Sequence, residues 1–421
     1  MEFKRYKLGT IAKTSSGATP TSTKKIYYEG GTIPWINSGE LSNPFIDKAN
    51  NNITKLGFDN SSTKMYAPNE TVLLAMYGAT AGKASLLQIE ACTNQAICAI
   101  IPDQSIVDPL FLKYKLDTMY NYLVGLSSGS ARDNLSQTGI ANLTIDIPSL
   151  AIQKRISKVL YSLDRKIALN RAINQNLEAF AKQLYDYWFV QFDFPNKQGK
   201  PYKSSGGEMV WNEKLKREIP AAWEVLSLSS VAIVNQRSFS KEDVLTEIEY
   251  LDTSSLTENN ITSTQQIFKE EAPSRAQRRV RQRTILYSTV RPRLKHYGIL
   301  CNPSSNMIVS TGFATIDAID KRLAYYIYYV LTQKSITEYL GSIADTAVSS
   351  YPSINPTDIE SISIVIPDEA LIKEFDETIS LLYELKEDSA KMIQTLAKQR
   401  DELLPLLMNG QVSLNSDLSN G

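Results

Sequence analysis

The chain has 421 residues, with 45 basic and 45 acidic side chains, one histidine and three cysteines. At about 100–200 residues per domain this predicts two to four domains with sizeable cores. His296, Cys92, Cys98 and Cys301 cannot form a zinc site of the usual spacing or a disulfide framework, and fit a reducing compartment. No apolar stretch approaches the ~20 residues needed to span a bilayer, and Met1 to Arg5 lack the apolar core of a signal peptide. A cytoplasmic protein with no membrane or metal association is expected.

Taken in chain order, the sequence repeats itself at an offset near 215–220 residues. Phe3, Leu8, Ile11 and Ala12 are answered by Trp223, Leu228, Val231 and Ala232. Ile33–Ile36 is answered by Ile248–Leu251, and the strand-like Thr71–Leu74 by Thr284–Tyr287. Period-two alternation follows in each copy, at Leu143, Ile145 and Ile147 and again at Ile362, Ile364 and Ile366. Each run ends at a proline, Pro148 or Pro367, where the offset is 219 and a long helical pattern begins. With Ile156 as heptad position a, the a row continues through Leu163, Asn170, Leu177 and Leu184, and the d row includes Ile152 and Val159. The second helix gives Phe375, Leu382, Ser389, Leu396 and Leu403 at a, and Leu371 and Leu385 at d. Two seams of about 40 residues predict a coiled coil of helices ~60 Å long, with Asn170 and Ser389 as polar register positions. The expected organisation is a β-rich domain (1–148), a long helix (149–192), a linker rich in Pro, Gly, Ser and Lys (193–216), a second β-rich domain (217–367), a second long helix (368–412) and a tail (413–421).

Enzymatic signatures are missing. Gly78–Lys83 has three residues between its glycines and Ala84 after the lysine, so it lacks the spacing and the hydroxyl of a phosphate-binding loop. Asn43-Pro44-Phe45 lacks the second proline of an amino-methyltransferase motif, and no G-x-G-x-x-G loop accompanies it. The first copy has no histidine for a hydrolytic triad.

The strongest local signal is a run of cations, Arg275, Arg278, Arg279, Arg281, Arg283, Arg291, Arg293 and Lys295, with no acid between Arg275 and Lys295. A solvated charged face is the plain alternative. Against it, a strand-like segment splits the run, and no neighbouring acid pairs with it. Arginine suits DNA phosphates and the O6/N7 edge of guanine. The first copy carries Lys24, Lys25, Lys64, Lys83 and Arg132 among Tyr27, Tyr28, Trp35, Tyr66 and Tyr77, and a polar run, Ser127–Gln137, that includes Asn134. Amides and hydroxyls of this kind read adenine edges and phosphates.

Gly31–Leu41, with its Ile-Pro-Trp, and Met76–Lys83 resemble segments of the specificity subunits of type I restriction–modification systems. So do Asn134–Gln137, Ile147–Lys154, Ser288–Lys295 and Leu403–Gly410, and the resemblance spans essentially the whole chain. It implies an α+β fold in which two β-rich target-recognition domains are separated by two long antiparallel coiled-coil helices in a pseudo-twofold repeat. It implies a non-catalytic subunit that binds a bipartite double-stranded DNA site and docks two DNA adenine methyltransferase subunits and, beyond them, restriction/translocase subunits. S-adenosylmethionine, ATP and magnesium then belong to the partners, and this chain binds no cofactor. Ser38 and Thr80, within the resembling segments, join the basic and aromatic residues as candidate DNA contacts. The competing readings are a stand-alone DNA methyltransferase or nuclease, and a coiled-coil scaffold.

Overall fold

The computed structural model describes residues 2–128, 135–240, 243–346 and 352–412. The chain divides into two compact units, Met1–Asn170 with Met392–Gly421, and Arg171–Lys391. Both boundaries fall inside the long helices, so each unit holds one β-rich region and a portion of both helices.

In the first unit a five-stranded sheet has the order Ala12–Ser16, Ile97–Pro102, Val72–Ala75, Ala84–Leu87, Phe45–Ile46. A three-stranded sheet places Ile33–Ile36 between Asn51–Ile53 and Cys92–Thr93, with Trp35 opposite Cys92 in parallel register. Val72–Ala75 is apolar throughout because both of its faces are covered. Val72 and Leu74 enter a core with Phe111, Tyr114 and Ile156, while Leu73 and Ala75 enter another with Ile36, Leu41 and Leu87. The helix Pro109–Thr118 beneath the sheet starts where Asp108 accepts from the Phe111 amide at 2.9 Å and proline occupies the first turn.

The second unit repeats this two-sheet plan with four strands in each sheet. A four-stranded sheet runs Ala232–Val234, Phe313–Ala318, Thr284–Ser288, Tyr297–Leu300. A second has the order Gln265–Phe268, Glu247–Leu251, Met307–Ser310, Ala276–Arg279, again with one parallel pair, Tyr250 opposite Ile308. Ile285 and Tyr287 face the larger core and Leu286 a smaller one with Leu251 and Val309. Each β-rich region is closed by an antiparallel pair at its ends, Lys4–Lys7 with Thr144–Ile147 and Glu224–Ser227 with Ser363–Ile366.

The long helices are Leu150–Tyr185, which runs on into a single π turn at Asp186–Val190, and Glu369–Met408. They pair antiparallel within each unit. In the first, Asp164 meets Arg400 while Ile156 and Leu160 share a core with Leu407 and Met408. In the second, Glu178 meets Lys386 while Tyr185 packs on Phe375.

The contact face differs from the predicted seam by one residue in both helices. The buried row is Gln153, Ile156, Ser157, Leu160, Asp164, Ile167, Ala181, Tyr185 and Trp188 in the first, and Ile372, Phe375, Asp376, Ile379, Tyr383, Leu396, Leu407 and Met408 in the second. Ile156, Phe375, Leu371, Ser389 and Leu396 are buried as expected. Ile152, Val159, Leu163, Asn170, Leu177, Leu184, Leu382 and Leu403 lie on its flank, half-buried, and Leu385 is exposed. A count of apolar residues misses the phase because the true stripe contains Gln153, Ser157, Asp164 and Asp376.

The expected linker is folded. Phe194 stacks on Trp223 and Tyr202 with centroids 4.9 and 4.6 Å away. Asp193 accepts from the Ser204 amide at 2.7 Å, and Met209–Asn212 pairs with Arg217–Pro220 as a hairpin. Its aromatic residues bury enough apolar surface to order a segment whose glycines and prolines alone predict a tether.

Candidate nucleic-acid interface

In both units the end of the parallel strand pair lies beside a glycine-type turn. After Ile36, the Asn37 amide donates to Glu40 Oε1 at 2.8 Å, opening a short turn at Ser38–Ser42. Thr80 Oγ1 donates to the Ser38 carbonyl at 2.8 Å, which ties this loop to the turn Met76–Lys83. Gly78 and Gly82 take φ of +91° and +78°, and Tyr77 is 47% exposed at the rim. Lys83 lies 4.2 Å from the centre of the Tyr120 ring, so its charge is partly engaged against the neighbouring helix. Ser38, Tyr77, Thr80 and Lys83 therefore share one edge of the first unit.

The second unit builds the corresponding site. Asp252 accepts from the amides of Ser254 and Ser255, opening the turn Thr253–Ser255 where the first unit has Ser38. Beside it lies the turn Thr289–His296. Thr253, Ser254, Arg275, Val290, Arg291, Leu294, His296 and Gly312 line a cavity of about 470 Å³. His296 Nδ1 is 2.6 Å from the Leu256 carbonyl, which can only accept, so in the neutral ring Nδ1 carries the proton and Nε2 is left as an acceptor. The fold thus adds Thr253, Ser254 and His296 to the residues singled out by sequence. Single hydroxyls and a histidine carry no local signal; their only pointer was position in the repeat.

The cation run is not free of acids in three dimensions. Arg279 pairs with Asp243, Arg281 with the buried Asp317, and Arg283 with Asp376 on the second long helix. Arg293 spans Glu338 and Asp345 at 3.0 and 2.6 Å, and Lys295 meets Glu258 at 2.7 Å. The inference from a local lack of acids is thereby corrected: the partners come from distant segments. Arg275, Arg291, Arg293 and Lys295 are all exposed, and Arg275 and Arg291 line the cavity. Arg278 is half-buried in its strand.

Trp35 is also corrected. It is buried against Ile53 and Cys92, and its indole donates to the Ala18 carbonyl at 3.1 Å, so it is a core residue and presents no face to a ligand. Lys24 and Lys25 are exposed on a separate segment, tied through Thr54 to the helix Lys55–Asp59. Arg132 and Asn134 lie outside the described residues. No helix of the described residues is long and apolar enough to cross a membrane, and no cluster of metal-ligating side chains occurs among them.

Residues 1–179 match the type I restriction modification DNA specificity domain. The type I restriction enzyme MjaIX specificity subunit of Methanocaldococcus jannaschii is 28% identical over 415 residues, covering 96% of this chain and 92% of that one. The HindI specificity subunit of Haemophilus influenzae is 22% identical over 371 residues, covering 74% and 79%. The crystal structure of a type I restriction-modification system S subunit from M. genitalium shares the fold, with a TM-score of 0.61 at 16% identity over 97% of this chain and 96% of that one.

Proposed function

We propose that the chain is a specificity subunit of a type I restriction–modification system, and that each β-rich unit reads one half of a bipartite site in double-stranded DNA. The observation that carries this is the occurrence, in both units, of one loop-and-turn edge with different side chains: Ser38, Tyr77 and Thr80 in one, Thr253, Arg275 and Arg291 in the other. Equal backbones with unequal donors suit two half-sites of different sequence.

The chain recognises DNA and leaves catalysis to the complex. On this reading two adenine methyltransferase subunits dock on the long helices, restriction/translocase subunits join through them, and S-adenosylmethionine, ATP and magnesium are bound by those partners in the cytoplasm. Supporting the docking of two like subunits, Ile173 and Met392 are exposed and stand 219 residues apart, the helix repeat offset, so each helix offers an apolar side chain at the same point of its repeat.

Copurification from the native host tests the reading. The chain is expected to bring down a methyltransferase, and the reconstituted complex to methylate adenines in a two-part site. Methylation by the isolated chain would instead make it an enzyme. A complex that binds all DNA sequences equally would make it a scaffold.

A further inference from the structure

The turns that edge the two units share their backbone hydrogen bonds. Ser288 N donates to His296 O at 2.9 Å, as Ala75 N does to Lys83 O at 3.0 Å. Thr289 N to Gly312 O matches Met76 N to Ala96 O, and Leu294 N to Arg291 O matches Ala81 N to Gly78 O. His296 therefore stands where the first unit has Lys83. An ammonium can only donate, whereas a neutral imidazole donates from one nitrogen and accepts at the other. In the second unit the fold decides which is which. Leu256–Thr257 and Asn260–Ile261 form a hairpin whose turn residues Glu258 and Asn259 take φ of +44° and +63°. The Glu258 amide donates to the Lys295 carbonyl at 3.0 Å and the Asn259 amide to the Tyr297 carbonyl at 2.8 Å, so the hairpin grips the chain on both sides of His296. The ring lies against the same hairpin, with Nδ1 2.6 Å from the Leu256 carbonyl and 3.0 Å from Thr257 Oγ1.

We propose that His296 is a specificity-determining residue of the second unit, its Nε2 accepting a hydrogen bond from the exocyclic amine of adenine or cytosine in the major groove; this rests on the DNA-recognition reading above. A protonless Nδ1 would set its lone pair against the Leu256 carbonyl oxygen, so the proton stays on Nδ1 and the lone pair on Nε2. Nε2, on the other side of the ring, has no partner among the described residues, and the ring lines the cavity with Thr253, Arg275 and Gly312. On the major-groove edges only adenine N6 and cytosine N4 donate, so an acceptor there favours those bases over guanine and thymine. The ring is placed before DNA arrives, by bonds to its own carbonyl, to both flanking carbonyls and from Nδ1. An acceptor held in this way discriminates better than one on a loose side chain. Lys83 has the opposite sense, so one backbone position offers a donor in the first unit and an acceptor in the second.

The test uses the full chain with its copurifying subunits at pH 8, above the range in which imidazole ordinarily takes up a proton. Bound sequences are selected from a pool of duplexes with a randomised centre. His296→Asn keeps an N–H for the Leu256 carbonyl but removes the acceptor, and is expected to melt near the wild type. His296→Gln returns an amide oxygen at the reach of Nε2. Wild type is expected to select a two-part motif. The asparagine variant should keep one half of it and lose roughly five- to tenfold of a preference for adenine or cytosine at one position of the other half. The glutamine variant should regain that preference for adenine, whose N6/N7 edge suits an amide. An unchanged motif in the asparagine variant overturns the inference, as does equal loss in both variants, since the acceptor would then not be what is read. A lost preference for guanine or thymine overturns it too, because His296 would then be donating. So does uniform weakening on every sequence with a shallower salt dependence, the mark of a phosphate contact. If wild type selects no two-part motif, the DNA-recognition reading falls and takes this inference with it.

Discussion

Arg400, near the end of the second long helix, donates to Asp164 of the first at 2.8 Å, and the same carboxylate accepts from the Tyr114 hydroxyl at 2.6 Å. One carboxylate, 4% exposed, thus joins both helices to the helix beneath the first sheet. Burial and the neighbouring Asp164 together push the Tyr114 hydroxyl well above its ordinary range, so it stays protonated as the donor. Breaking a buried pair on one side leaves a charge unmatched. Arg400→Met is expected to destabilise the chain by about 3 kcal/mol, the low end for such losses because Arg400 keeps some contact with water. Adding Asp164→Leu should return part of that loss, since the stranded charge goes with it. Urea unfolding of the two single variants and the double variant measures the coupling.

A second prediction concerns Gly341. A Cβ there would sit 2.8 Å from the Arg293 Nε and Cζ atoms, so Gly341→Ala must push Arg293 off the helix Lys334–Thr346. The substitution also gains about 1 kcal/mol of helix propensity. Net stability is therefore expected to stay within about 1 kcal/mol of wild type. Binding to the second half-site should weaken because the turn loses its brace. Thermal melting and filter binding, run together, separate the two effects.

The pair between Arg5 and Asp146 carries a pH dependence. Two hydrogen bonds, at 2.8 and 3.0 Å, hold the Asp146 carboxyl below the usual carboxylate range, chiefly through the Arg5 guanidinium. A depressed folded value means the stabilisation is present above the ordinary pKa near 3.9 and is lost as pH falls through the folded one. Melting temperatures followed from neutral to acid pH should fall less steeply at the acid end for Asp146→Asn than for wild type.

The shifted helix face gives a paired test. Ile379 is fully buried, and Ile379→Ala should cost about 2–5 kcal/mol. Leu385→Ala, half exposed, should stay within about 0.5 kcal/mol in the isolated chain. If Leu385 belongs to a docking face, the same variant should reduce recovery of the copurifying subunits, measured at equal expression.

The repeat was legible because strand alternation and the prolines at 148 and 367 are local features that keep their spacing. The largely antiparallel sheets, with two parallel pairs in the first unit and one in the second, were not, because pairing depends on which distant strands meet. Ion pairs escaped for the same reason: Asp376 lies 93 residues from Arg283 and Asp317 lies 36 from Arg281. The helix phase misled since a buried stripe holding Gln153 and Asp164 looks less apolar than the row beside it. Trp35 carried the right motif but the wrong role. An aromatic among lysines has the same composition whether it faces a base or a core.

The strand pairs that close each β-rich region hold its two ends side by side, Lys4 opposite Ile147 and Glu224 opposite Ile366. A gene segment cut at those strands therefore encodes one β-rich region, and its replacement leaves the long helices intact. What a newcomer must preserve is the underside. Tyr114 reaches Asp164 in the first unit, and Tyr329 reaches the Tyr383 hydroxyl at 3.2 Å in the second. The outer edge with its turn is free to diverge. Regions exchanged between related genes must then keep the side chains that grip the helices, Asp108 and Tyr114 in the first unit and Arg283 and Tyr329 in the second.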